Sequence, residues 1–441
     1  MLTTIKGGTL VSAAGERRCD LSIDDGRIVA IGDLEPDGVL VDATDLLVLP
    51  GMIDTHVHLM DPGDTTREDF VTGTSAAAAR GVTTIVEHTH SSPVRSVADL
   101  DEKRSHLERR SNVDFGLAAH VWPDHIGEIE SLAEHGVTLF KIFTCDTHGV
   151  PGLNSTEMAD AMAAIARSAS RCLIHNEDQA LTLEAERRLR DVGRVDPGLL
   201  IEWRSREAEL AAIASTAALV LETGASATFA HVSCPPALDV IDEYRRQGAD
   251  IAAEACPQYF ALDETEINGW GALRKFTPPA RIRNENERSA MWAAVRARRF
   301  SHFSTDHAPS TLDQKSGPDF WDAPFGLPGL DTTLPFLIDS ALAGRMTLSE
   351  VVRLYATAPA ARYRLPKGVL EIGADADLVL VDPEGEWSVT NDDIISKAGW
   401  SPYSGRTFLG RVVATFLRGE EIATDGQCHD LRTGRFLSPV D

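Results

Sequence analysis

The chain has 441 residues and a mass of 47.7 kDa, with 43% hydrophobic and 25% charged residues, which excludes a low-complexity or disordered reading for most of its length. Its formal charge is −25, from 42 basic and 67 acidic residues, and no basic stripe interrupts it, so neither nucleic acid nor an anionic membrane surface is an expected partner. The six cysteines form no CxxC pair, the start lacks the apolar stretch of a signal peptide, and no apolar run reaches the ~18 residues of a membrane helix. The expectation is a protein of the reducing cytoplasm, free of disulfides.

Residues 1–50 alternate in short strand-like runs, such as Gly8-Thr9-Leu10-Val11, Asp20-Leu21-Ser22-Ile23 and Arg27-Ile28-Val29-Ala30-Ile31, broken by Asp25-Gly26 and Gly32-Asp33 turn signals. The far end mirrors them in Gly368 to Gly373, Ala376 to Val381 and Arg411 to Leu417. Two small β pieces at opposite ends are placed to pair into one satellite sheet. The expected organisation is therefore 1–50 and 361–441 as the two parts of a β-sandwich, with 51–360 as the main domain.

From residue 51 the rhythm becomes short apolar strands alternating with helical stretches. Eight strands are predicted, over 52–58, 82–88, 113–121, 137–143, 171–175, 227–231, 250–255 and 300–306, with helices over 72–80, 97–110, 126–135, 155–169, 206–223 and 237–247. Eight such units over ~300 residues fit an α/β protein built on a (β/α)8 TIM barrel. A doubly wound open sheet is the alternative, but no GxGxxG loop is present. The charged stretch 181–208 reads as a surface excursion after strand five, and 307–330 as a loop over the C-terminal mouth of the barrel.

Six residues fall at predicted strand ends. His56 and His58 lie two apart on strand one and so share a face, a ready chelate for a metal ion. Lys141 sits in the apolar strand Leu139-Phe140-Lys141-Ile142-Phe143, where a buried ammonium is costly. It either reaches solvent at the strand end or is chemically modified: a neutral amine captures CO2 as a carbamate, whose two oxygens can bridge two metals. His175, His231 and Asp306 close strands five, six and eight. Core packing does not explain four histidines, a lysine and an aspartate converging on one mouth.

With these residues in place the chain resembles the amidohydrolase superfamily, in its cyclic-amidase branch of hydantoinases, dihydropyrimidinases, allantoinases and dihydroorotases. The resemblance rests on Leu49 to His58, Gly73 to Thr84, the Lys141 strand, His175, His231, Glu254-Ala255-Cys256-Pro257-Gln258-Tyr259, Ser304-Thr305-Asp306-His307 and Gly373 to Val379. It implies a barrel with a small β-sandwich drawn from both termini. It implies that His56, His58 and Asp306 hold one metal and His175 and His231 a second, with carbamylated Lys141 bridging. Zinc is the metal implied first, with manganese, cobalt or nickel as substitutes. It also implies that Asp306 is the general base and acid when a hydroxide opens a ring amide. No serine or cysteine nucleophile is needed, so Cys145 and Cys256 are read as packing residues. A homo-oligomer, dimer or tetramer, is a further implication.

The substrate is read from departures. Dihydroorotases carry an arginine two residues past the second histidine, and here that position is Met60, which makes no bidentate contact with a carboxylate. Dihydropyrimidinases and D-type hydantoinases carry a tyrosine shortly after the lysine, and none stands in Lys141 to His148. The Pro257-Gln258-Tyr259, Gly326 to Pro335 and Ser401 to Gly405 segments look like L-type hydantoinases. The reading is a hydantoinase-like hydrolase, with allantoinase second and dihydropyrimidinase, dihydroorotase or a non-catalytic scaffold behind. Expected substrate contacts are His90, Thr144, Thr277, Pro279 and Gly329, with Gly326 to Gly329 shaping the far wall, His148 as an alternative to Thr144, and Trp122, Phe143 and Trp321 supplying apolar surface. His88 is either a contact or a hydrogen-bonded residue of the mouth.

Overall fold

The computed structural model describes residues 2–317 and 319–440. Its centre is an eight-stranded parallel sheet whose strands follow one another in sequence order. The barrel strands are Met52–Val57, Val82–Glu87, Asp114–His120, Leu139–Phe143, Cys172–His175, Ala227–Phe229, Ile251–Ala255 and His302–Phe303, here called barrel strands one to eight. The first and last meet through a parallel bridge between Val57 and His307 and a 2.7 Å bond from the His58 N–H to the His307 carbonyl. The sheet thereby closes into the expected (β/α)8 barrel. Helices pack outside it, among them Phe70–Ala79, Val97–Leu107, Ser155–Arg167, Arg206–Thr223 and Pro235–Arg246, and the apolar core lies between them and the sheet.

Strands six and eight are shorter than their apolar runs. Just beyond their ends, His231 and Asp306 adopt φ values of 38° and 51°, a left-handed conformation that cannot continue the ladder. The 181–208 excursion is built of two helices, Gln179–Asp191 and Leu199–Trp203. Beneath its charged outer face, Leu189, Leu199, Leu200 and Trp203 pack with Phe320 and Trp321 of the loop after strand eight. The run 368–373 is not a strand. Gly368 and Gly373 sit at φ 79° and 91°, and a Cβ at Gly368 would lie 2.6 Å from the Ala356 carbonyl, so glycine is required there by a close turn.

The two ends of the chain do meet. Strand Leu47–Pro50 pairs antiparallel with Leu378–Ser388, with Leu378 opposite Pro50, at the centre of a seven-stranded sheet that runs from Gly15–Arg18 to Gln427–Cys428. A second sheet of four N-terminal strands packs on it through Ile5, Leu21, Ile23, Val48, Leu378 and Phe416.

Lys367 ties this unit to the barrel. Its ammonium is buried within 2.6–2.8 Å of Asp114, Asp375 and Asp377, and Arg418 covers Asp114 at 2.6 Å. Asp114 opens barrel strand three, so the cluster is the charged joint between strand three and the C-terminal strands. Removing one partner from a buried ion cluster leaves uncompensated charge. Lys367→Ala is therefore expected to cost about 3–5 kcal/mol, read as a lowered urea midpoint. A loss below about 1 kcal/mol would show that the joint does not depend on this ammonium.

Candidate metal centre

All six predicted ligands line one cavity of about 420 Å³ at the C-terminal mouth of the barrel. Strand one sends His56 and His58 into it, as the period of two requires. The Nε2 atoms of both lie 3.4 Å from the same Asp306 oxygen, and the donor atoms of the three residues fall within 4.8 Å of one another. Lys141 Nζ stands 2.9 Å from His56 Nε2, and His175 Nδ1 stands 3.0 Å from His231 Nε2.

The outer ring nitrogens are fixed from behind. His58 Nδ1 donates to the His88 carbonyl at 2.8 Å, which leaves a lone pair on its Nε2. His175 Nε2 lies 2.9 Å from Glu177, so its Nδ1 lone pair faces the cavity. Glu254, from strand seven, contacts His56 Nδ1 at 2.9 Å and accepts the His231 backbone N–H with the same oxygen, also at 2.9 Å. Burial lowers the basicity of His56, His175 and His231, which keeps these rings neutral. Burial likewise lowers the Lys141 amine. Neutral imidazoles, a weakened amine and a carboxylate gathered in one cavity form a donor set that fits divalent cations of the zinc type.

Among the described residues two further groupings of potential ligands, Cys145 with His175 and Glu177 and Asp114 with Asp375 and Asp377, already have cationic partners. Arg204 stands 3.3 Å from both Cys145 and Glu177, and burial pushes the Cys145 thiol up to about 12. The Asp114, Asp375 and Asp377 group already surrounds Lys367.

Residues 47–422 match the amidohydrolase family model. The chain belongs to the amidohydrolase family. Among its relatives is an allantoinase of Rubrobacter xylanophilus, 35% identical and aligned over 99% of this chain and 97% of that protein. Among solved structures, a D-hydantoinase superposes with a TM-score of 0.92 at 30% identity, covering 99% and 98% of the two chains. An L-hydantoinase (dihydropyrimidinase) from Arthrobacter aurescens gives 0.92 at 26% identity, covering 99% of each. The barrel of this amidohydrolase is thus an architecture shared over whole chains.

The predicted substrate contacts divide. His90 and Thr277 line the cavity, as do Phe143, His148, Trp321 and Gly326. Thr144, Pro279, Gly329 and Trp122 do not line it. The Thr144 hydroxyl sits behind the wall, within 2.9 Å of the His175 and Glu177 carbonyls. Pro279 is buried, the Gly329 N–H donates to His307 at 3.0 Å, and Arg95 stacks over Trp122. His88 is a support: its Nε2 donates to the Thr55 carbonyl at 2.8 Å. Met60, His148, His231 and Asp306 all line the cavity with φ between 38° and 57°. Strained backbone of this kind persists only where the surroundings enforce it.

Sequence reasoning assigned no role to Glu177 or Glu254, nor to the ion network behind them. Glu177 is fully buried, bonded by His175, Thr277 at 2.6 Å, Arg204 and Arg281, and Arg281 continues to Glu209 at 2.8 Å. Burial alone would raise the Glu177 carboxyl, but Arg204, His175 and Arg281 override it and hold it at about 2. The folded value lies below the ordinary 4.5, so its contribution to stability is present above that pH and is lost as pH falls toward 2. Glu177→Gln is expected to lower stability at neutral pH and to flatten the acid limb of stability against pH. An acid limb as steep as that of the parent would contradict the assignment.

Proposed function

We propose that this amidohydrolase opens a ring amide of a hydantoin-type cyclic ureide. The observation that carries the reading is the convergence of His56, His58, Lys141, His175, His231 and Asp306 on one cavity large enough for a small ring. The whole-chain likeness to hydantoinase structures supports the substrate class.

In this reading His56, His58 and Asp306 hold one divalent cation and His175 and His231 a second, with zinc first and manganese, cobalt or nickel as substitutes. Lys141, as a carbamate, would supply oxygen ligands to both: burial lowers its amine to about 8, so a neutral fraction is present near pH 7 that can add to CO2, forming a C–N bond and releasing one proton. When bound, such a pair of cations acidifies water to hydroxide near neutral pH and polarises a carbonyl. The protein's own part is to orient and to move protons. Asp306 accepts the proton of the attacking water and delivers it to the leaving ring nitrogen, so that the C–N bond breaks without an acyl-enzyme. Its left-handed backbone aims the carboxylate across the mouth. Glu254 and the His88 carbonyl hold the strand-one rings in place, and Glu177 holds His175. His90 and Thr277 contact the substrate, while Phe143 and Trp321 offer apolar surface to a ring substituent.

The allantoinase relative makes allantoin the second substrate to test. Six free cysteines are consistent with a cytoplasmic enzyme, and we expect it to act as a homo-oligomer.

The test is a ring-opening panel with metal-loaded enzyme, holding both enantiomers of 5-substituted hydantoins, dihydrouracil, allantoin and dihydroorotate. Turnover of a hydantoin with the highest kcat/KM is expected. Turnover of allantoin alone would overturn the hydantoin assignment in favour of the second reading. Asp306→Asn is expected to lower kcat by about a thousandfold or more, with the far-UV circular dichroism unchanged. Retained turnover would remove Asp306 from its role.

A further inference from the structure

Away from the mouth, a groove of about 520 Å³ opens between helix Glu285–Arg296, helix Thr333–Leu342 and Arg406, which precedes strand Thr407–Leu417. Arg288, Arg296, Arg345 and Arg406 line it, against a single carboxylate, Glu285. The chain as a whole carries 67 acidic residues to 42 basic ones, so four arginines to one acid is a local reversal of sign.

Three of the four arginines are tied to a backbone carbonyl. Arg288 donates to the Phe260 carbonyl at 2.6 Å, Arg296 to the Arg345 carbonyl at 2.8 Å and Arg406 to the Ala261 carbonyl at 3.3 Å. Arg288 meets Glu285 at 3.3 Å and Asp263 at 3.7 Å, and Arg345 meets Asp339 at 3.4 Å. Arg296 and Arg406 have no carboxylate within 4.0 Å among the described residues, whereas Arg187, Arg194 and Arg299 elsewhere on the surface have two each. A guanidinium has five N–H donors, and one carbonyl occupies only one of them. Trp292 and Phe336, stacked at 6.1 Å, form the apolar base of the groove.

We propose that this groove binds a small organic phosphate. Guanidinium forks match the tetrahedral oxygens of phosphate, and backbone carbonyls hold those of Arg288, Arg296 and Arg406 in position before the ligand arrives. The apolar base takes the organic part. The groove shares no lining residue with the metal centre, so the inference stands apart from the proposed ring opening.

The test is calorimetric titration of the metal-loaded full chain with adenosine 5′-monophosphate, inorganic phosphate and adenosine. Binding of the monophosphate and of inorganic phosphate is expected, with adenosine silent and affinity falling as salt rises. The double variant R296E/R406E is expected to weaken both phosphates by about tenfold or more, and R296Q/R406Q by less, with the basal kcat unchanged. Equal binding of adenosine, or equal phosphate binding by R296E/R406E, would overturn the proposal. So would a parent enzyme silent to both phosphates, and a change in sedimentation of the double variant in that case would assign the groove to contact between copies of the chain.

Discussion

Asp54 occupies the seam at which barrel strand one meets the chain beyond strand eight. Its carboxylate accepts the Thr305 backbone N–H at 3.1 and 3.2 Å and the Tyr355 hydroxyl at 2.7 Å, all out of water. Burial pushes this carboxyl up to about 6, and the bonds from Tyr355, Thr305 and His56 oppose that rise. The consequence is geometric. Thr305 immediately precedes Asp306, and Asp54 lies two residues before His56, so one buried carboxylate sets the distance between the two strands that build the mouth. Closing the barrel and assembling the His56, His58 and Asp306 group are the same event.

A second buried carboxylate repeats this logic across the other side. Glu254 touches the His56 ring and the His231 backbone with one oxygen, and so joins strand one to the chain after strand six through strand seven. Glu177 orients His175 and is itself held by Arg204 and Arg281. Carboxyl groups in such places are expensive to bury as charges: burial pushes Glu254 up to about 8, whereas Arg204, His175 and Arg281 overcome burial at Glu177 and hold it down. The interior of this barrel uses that expense to hold imidazole rings with their lone pairs turned into a cavity, where apolar packing would have set no ring orientation.

Much of this was legible in the chain. Runs such as Leu139 to Phe143 are apolar because both faces of a parallel sheet are covered, and all eight strands fall where such runs occur. The ligand positions were legible because histidine, lysine and aspartate at the ends of those runs conflict with burial. What was not legible depended on backbone conformation or on distant partners. The left-handed turns at His231 and Asp306 stand just beyond two short strands without any glycine to mark them. Gly368 and Gly373 break an extended run that hydropathy alone favours as a strand. Thr144 was expected at the substrate in place of the tyrosine missing after Lys141, yet its hydroxyl turns toward two carbonyls behind the wall. Glu177 pairs with arginines 27 and 104 residues away, which no local pattern announces.

In the proposed mechanism two cations share this mouth, one on the strand-one side and one on the His175 and His231 side. The most direct measurement is metal content by plasma mass spectrometry on fully active enzyme, beside a variant lacking both His175 and His231. The account predicts about two divalent ions per chain in the parent and about one in the variant, because the His56, His58 and Asp306 group remains intact. Full activity with about one ion per chain would contradict it and place the chemistry on a single-metal site.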